Sequence, residues 1–268
     1  AHLMAHDSDP FNRWEAGQRL ATRVLLAGIA RSSTGGQGDT WIPPSLVAAF
    51  RRVLADGLRD PAFAAEALAL PAEQVLAEEV VATGGVIDPE AIHLARLNLR
   101  RHLAAELRSD FESTWQALAP NEAYAPDGAQ VGRRALRNAC LAYLADGDAA
   151  AVLPRLLAQL HDGGNMTDVI AALGILANQD LPERQTALDA FHAKWKDEAL
   201  VVDKWLSVQS TSRLPGTGAR VRALMQHPAF DLKNPNKVYA LVRAFCGANP
   251  RHFHAQDGSG YQFAADVI

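Results

Sequence analysis

The chain has 268 residues, 49% of them hydrophobic, enough to build the core of one large domain or two small ones and too apolar for a disordered chain. Its 26 basic and 30 acidic residues are interspersed and sum to a net charge of -4. No broad basic field is left for a phosphate backbone, which argues against nucleic acid as a partner.

Helical periodicity dominates from the start. After Pro43-Pro44-Ser45, the residues Leu46, Ala49, Phe50, Val53 and Leu54 fall at i, i+3, i+4, i+7 and i+8, with Ser45 as the expected N-cap. Each large side chain buried on that stripe contributes about 1.5–3 kcal/mol relative to exposure. Asp60-Pro61, Asp88-Pro89, Asn234-Pro235 and Asn249-Pro250 each set a capping side chain before a proline, whose missing N–H costs nothing in the first turn of a helix. Leu136, Ala139, Cys140, Tyr143 and Leu144 form one stripe, and Val152, Leu153, Leu156, Leu157 and Leu160 the next. The polar turn Ala145 to Asp148 between them predicts an antiparallel hairpin. Asn165 with Asp168 resembles a capping box before Val169, Ile170, Leu173 and Leu176. Further helices run through Leu188, Phe191 and Trp195 and from Val201 to Gln209.

Sustained alternation is lacking, so no strands are expected. Looser segments fall at Arg31 to Gly38, Pro120 to Gln130 and Gln209 to Thr217, none with the composition of a true linker. The predicted class is all-α, an irregular stack of antiparallel helical hairpins, solenoid-like in places. No apolar run approaches the roughly 20 residues of a membrane-spanning helix, and the first ten residues lack the apolar core of a signal peptide. Cys140 and Cys246 sit among apolar helical positions, which suits buried free thiols in a reducing compartment, the cytoplasm.

Motifs for chemistry are scarce. A His-Glu-x-x-His string, which puts two imidazoles and a water-activating carboxylate on one helix face, does not occur. His252 and His254 are spaced to point to different sides of a helix, and His93 and His102 are no better as ligands; His102 with Glu106 reads as a surface pair. There is no Gly-x-Ser-x-Gly elbow, and neither cysteine has an activating neighbour in sequence. Gly216-Thr217-Gly218 lacks the rest of a phosphate-binding fingerprint and reads as a turn. Arg133, Arg134 and Arg137 read as a solvated or domain-contact face. Three polar strings stand out: Gly164 to Asp168, Asn234-Pro235-Asn236-Lys237, and His254 to Tyr261. Their plainest role is capping, with Asn165, Asn234 and Ser259 bonding the amides of the helices they precede.

Those strings also carry a resemblance. Asn12 to Ala16, Leu136 to Leu141, Asn165-Met166-Thr167-Asp168, Asp203-Lys204-Trp205 with Gln209 to Ser212, Asn234-Pro235-Asn236, and Asn249-Pro250 with Phe253-His254 and Asp257 to Tyr261 resemble the C-terminal helical domain of bacterial aminopeptidase N, in that family's order. The resemblance implies an armadillo- or HEAT-like superhelix forming a single domain over residues 1–268. Such a domain is non-catalytic, closes the active-site chamber and restricts peptide access. It implies no cofactor in this chain, zinc in the full-length enzyme, and two partners: an upstream catalytic domain of the same polypeptide and peptide substrates. Asn234, Asn236, Lys237, Tyr239, His254, Asp257, Ser259 and Tyr261 are its channel or domain-interface candidates, although Tyr239 stands where related enzymes have a basic residue. The resemblance further implies that helices continue past Ile268, so that a chain ending there is truncated and self-associates through uncovered apolar surface. Two other readings fit the same periodicities: a stand-alone helical-repeat scaffold, and an enzyme whose buried site uses no familiar motif.

Overall fold

The computed structural model describes residues 1–33 and 41–267, and among these the secondary structure is helix with no strand. Part of the segment expected to be loose, residues 34–38, lies outside the described residues. The chain divides into two compact units, Ala1–Val152 and Leu153–Ile268.

In the first unit α1 (His2–His6) packs on α2 (Pro10–Ser33), followed by α3 (Pro44–Asp56), α4 (Pro61–Ala67), α5 (Glu73–Ala82), α6 (Pro89–Glu106), α7 (Arg108–Ala117) and α8 (Gly128–Gly147). The stripe read from the sequence of α3 is buried as expected: Leu46, Ala49, Phe50, Val53 and Leu54 all face inward. Ser45, however, is inside the helix. Pro43 occupies the N-cap without a side-chain bond and Pro44 is the first helical residue, because proline tolerates the turn in which amides have no partner. Asp60 and Asp88 cap as predicted, accepting from Phe63 N (3.0 Å) and from Glu90 N and Ala91 N (3.0 and 3.1 Å).

The central helix of this unit is α8, flanked by α4, α6 and α7. Gly132 lets α4 approach, since a Cβ there would stand 2.9 Å from the backbone nitrogen of Ala62. Tyr143 stacks on Phe111 at 4.6 Å, donates its hydroxyl to Leu68 O at 2.7 Å, and carries the Arg100 guanidinium 4.3 Å from its ring centroid. Arg100 also pairs with the buried carboxylate of Asp146. The expected polar turn at Ala145 to Asp148 is therefore mostly helix: α8 runs through Gly147, and only Asp148 separates it from α9 (Ala149–Asp162). Pairing with Arg100 is what makes an aspartate tolerable inside the last turn of α8. Arg134 and Arg137, expected on a solvated or domain-contact face, are half-buried and lie over the rings of Tyr124 (4.9 Å) and Trp115 (4.4 Å). A weakly hydrated planar guanidinium favours such stacking over free solution.

The second unit holds most of α9, then α10 (Met166–Leu176), α11 (Glu183–Trp195), α12 (Ala199–Ser210) and α13 (Thr217–Leu224). A continuous helical run follows, made of α14 (Pro235–Val238), a π-helical turn (Tyr239–Arg243) and α15 (Ala244–Ala248); α16 (Pro250–Phe253) and α17 (Ser259–Val267) complete it. Asn165 caps α10 as predicted: its Oδ1 accepts from Asp168 N at 2.9 Å, and its amide donates to the Asp168 carboxylate at 2.8 Å. Cys140 is fully buried and Cys246 half-buried, both free. Among the described residues no helix is long and apolar enough to cross a membrane.

Candidate functional site

The sequence candidates all fall in the second unit, in two groups at opposite ends of the run from Pro235 to Ala248. Fourteen helical residues at about 1.5 Å rise separate the ends by roughly 20 Å. Asn234 begins the first group, its exposed side chain accepting from Asn236 N at 3.0 Å, a cap that starts α14. Asn236 is also exposed. Lys237 turns the other way: it is buried, and its ammonium donates to Asp203 Oδ1 (2.7 Å) and Ala199 O (3.1 Å) of α12. That ion pair links two of the strings singled out in the sequence, Asn-Pro-Asn-Lys and Asp203-Lys204-Trp205, by tertiary contact.

Tyr239 opens the π-helical turn and is 57% exposed, with the Arg243 guanidinium 5.5 Å from its ring centroid. π-turns are rare and recur at functional sites. Here the turn's Ala240 carbonyl takes bonds from Ser207 Oγ (3.1 Å) and Ser210 Oγ (3.3 Å), so serines of α12 satisfy an oxygen at the helical irregularity.

The second group is built around α16 and α17. Asn249 was expected to cap α16, yet its side chain makes no cap bond and reaches across instead, donating to Ser210 O and Ser212 O at 2.9 Å each. His254 Nδ1 and Tyr261 Oη are hydrogen-bonded at 2.7 Å, and Phe253 lies edge-on to both rings. The cap of α17 also differs from expectation. Ser259 is the first helical residue, and Asp257 Oδ1 accepts its N–H at 2.9 Å. The hydroxyl and N–H of Ser259 hold the Asp257 carboxyl below the usual carboxylate range. Gly260 is required directly after Ser259, because a Cβ there would collide with the Phe253 carbonyl.

Six of the eight candidates thus form local bonds in pairs at exposed positions, among them Asn234 with Asn236 and His254 with Tyr261. Asp257 and Ser259 form a third such pair. Lys237 is committed to the interior by its bond to Asp203. Sequence reasoning missed Asn249 and Asp203 as tertiary anchors, since nothing in a helix-start dipeptide tells whether the side chain bonds its own helix or another. Among the described residues no group of three or more His, Cys, Asp or Glu is placed to hold a metal ion. Of the other histidines, buried His93 lies 3.1 Å from Glu73 Oε1, and His192 and His227 pack on Trp205.

The architecture is that of an all-α helical-repeat domain whose polar strings serve capping and tertiary bonding. The chain belongs to the family described as "Domain of unknown function (DUF3458_C) ARM repeats", which matches residues 1–268. It is 38% identical over 266 residues to aminopeptidase N of Escherichia coli and 41% identical over 266 residues to aminopeptidase N of Caulobacter vibrioides. Each match covers 99% of this chain and 30% of the relative, so the chain spans about a third of the length of these proteins. A crystal structure of Legionella pneumophila aminopeptidase A in complex with aspartic acid shares the fold with a TM-score of 0.85 and 31% identity, over 99% of this chain and 31% of that one. The resemblance to the C-terminal helical domain of bacterial aminopeptidase N therefore extends along the whole chain.

Proposed function

We propose that the chain serves as the non-catalytic C-terminal domain of a cytoplasmic zinc aminopeptidase of the aminopeptidase N type, its two units acting together to close the active-site chamber and restrict access to peptides. The observation that carries the reading is the whole-length match to one third of aminopeptidase N from separate organisms. Zinc and the reacting groups belong, on this reading, to an upstream domain of the same polypeptide. The exposed candidates Asn234, Asn236, Tyr239, His254, Asp257, Ser259 and Tyr261 face the channel or the domain interface, and Lys237 supports them from within.

Two experiments test it. The purified 268-residue chain is expected to hold no stoichiometric zinc and to release nothing from an alanyl reporter; turnover that survives removal of contaminating peptidase would defeat the reading. Grafting the chain into E. coli aminopeptidase N in place of the matching third is expected to preserve hydrolysis of a small reporter. In that chimera, Tyr239→Ala should change KM or length preference for long peptides more than turnover of the reporter, because contacts far from the scissile bond act on the longer substrate. Equal losses for both substrates would point to docking or folding instead.

A further inference from the structure

In the first unit, α5 is apolar on more sides than its neighbours cover. Leu76 and Val80 are buried where the helix meets α6 and α2, while Val75 and Val81 are 44% and 56% exposed. A helix that is hydrophobic all round belongs in an interior. Among the described residues only one side of α5 has such cover.

The turn that follows carries the pattern further. Gly84, at φ 78°, takes the left-handed conformation that closes the helix: its N–H donates to Val81 O and that of Gly85 to Val80 O, both at 2.9 Å. In this ending the residue after the left-handed one commonly packs an apolar side chain back on the helix. Gly85 has none to pack, and a Cβ there would stand 2.9 Å from Val80 Cγ1. The apolar side chains come next and point to solvent instead. Val86 is 91% exposed, the highest value for a large apolar residue among the described residues, and Ile87 is 45% exposed. Asp88 then caps α6 at once. Val86 and Ile87 are therefore pinned between two hydrogen-bonded helix ends. Folding of this unit gains little from an apolar pair held in water.

The border of this tip is acidic. Glu78, Glu79 and Asp88 are exposed, and no Lys or Arg occurs between Arg59 and Arg96, in a chain whose charges are otherwise interspersed. An anionic membrane surface would repel such a border. A second copy docking through the same face would set acid against acid. The complement is an apolar hollow bordered by lysine or arginine. Four valine and isoleucine side chains supply far less than the roughly 800 Å² per partner that holds two separate proteins together. A tethered partner, at high effective concentration, is held by a smaller contact. The aminopeptidase N relatives, of which this chain matches 30%, have the additional chain to provide one.

We propose that Val86 and Ile87, with Val75 and Val81 of α5, form a docking surface for the upstream part of the same polypeptide, which meets it with an apolar hollow bordered by basic side chains. The proposal rests on the reading of the chain as one domain of a longer enzyme.

Val86→Cys tests it, made in the 268-residue chain and in the intact polypeptide, with maleimide modification at position 86 followed by peptide mass spectrometry. The side chain is almost wholly in solvent, so the substitution leaves the fold of the unit undisturbed. Position 86 is expected to react as a free thiol in the short chain and at least tenfold more slowly in the intact polypeptide, whose urea-unfolded form gives the unprotected rate. Adding Glu78→Lys and Glu79→Lys should shrink that ratio at least threefold. Equal rates in the short and intact chains would overturn the proposal. Protection indifferent to the two charge reversals would overturn the basic border, and protection of the short chain that grows with its concentration would assign the surface to a second copy instead. Hydrolysis of an alanyl reporter by the intact polypeptide is measured alongside. An active peptidase with equal labelling rates defeats this surface alone, whereas an inactive intact polypeptide defeats the reading of the domain.

Discussion

Asn249→Ala tests whether a helix-start asparagine does its work at a distance. In the native chain Asn249 is 4% exposed, and its single side-chain amide supplies both hydrogen bonds to Ser210 O and Ser212 O, where α12 ends. Ser210 and Ser212 are fully buried, so water has poor access to the two carbonyls once the amide is gone. An unsatisfied buried acceptor costs about 1–3 kcal/mol, so two of them set the expected loss at about 2–6 kcal/mol. Asn249→Asp should be worse, because a carboxylate would face two carbonyl oxygens with nothing to donate. Exposed Asn234 gives the reference: it bonds only its own helix, and Asn234→Ala should cost about 1 kcal/mol. Urea unfolding followed by tryptophan emission measures all three, fitted unit by unit where two transitions appear. An Asn249→Ala loss no larger than that of Asn234→Ala would refute the reasoning.

Asn165→Ala should lower stability by about 1 kcal/mol through loss of the bond to Asp168 N, with an unchanged denaturant slope; an unchanged midpoint would count against the cap. Gly260→Ala should destabilise the chain, since a Cβ meets the Phe253 carbonyl, whereas Gly174→Ala in the last turn of α10, with open space around the position, should raise stability by up to about 0.5–1 kcal/mol; paired melts decide. Burial pushes the Cys140 thiol up to about 12, so in native protein at pH 8 a thiol reagent should leave it unmodified while Cys246 reacts, and both should react in denaturant. Burial also raises Tyr143 to about 12. Since folding keeps both groups protonated, the stability they contribute is fully present below about pH 9 and is lost as pH rises towards 12, which an alkaline unfolding series would show. Lys237→Ala should cost more stability than Tyr239→Ala, because it leaves Asp203 without its ion-pair partner in a partly buried place; equal melting temperatures would contradict the burial argument.

Much of the secondary structure was legible in the sequence because its causes are local. The stripe of α3 and the caps Asp60, Asp88, Asn165 and Asn234 depend on residues within one or two turns, so periodicity and side-chain chemistry determine them. The order of polar strings likewise carried the family, since sequence likeness needs no coordinates. What failed were the places where a distant partner outbids a near one. Asp146 reads as turn but is helical because Arg100, 46 residues away, neutralises it. The aromatic partners of Arg134 and Arg137, Tyr124 and Trp115, were not legible in the sequence either. Asn249 reads as a cap but closes the end of α12. A helix start looks the same in sequence whether its polar side chain turns back to its own amides or outward to another helix. Only packing brings the competing donor or acceptor within about 3 Å, and at that range burial and hydrogen bonding outweigh local preference.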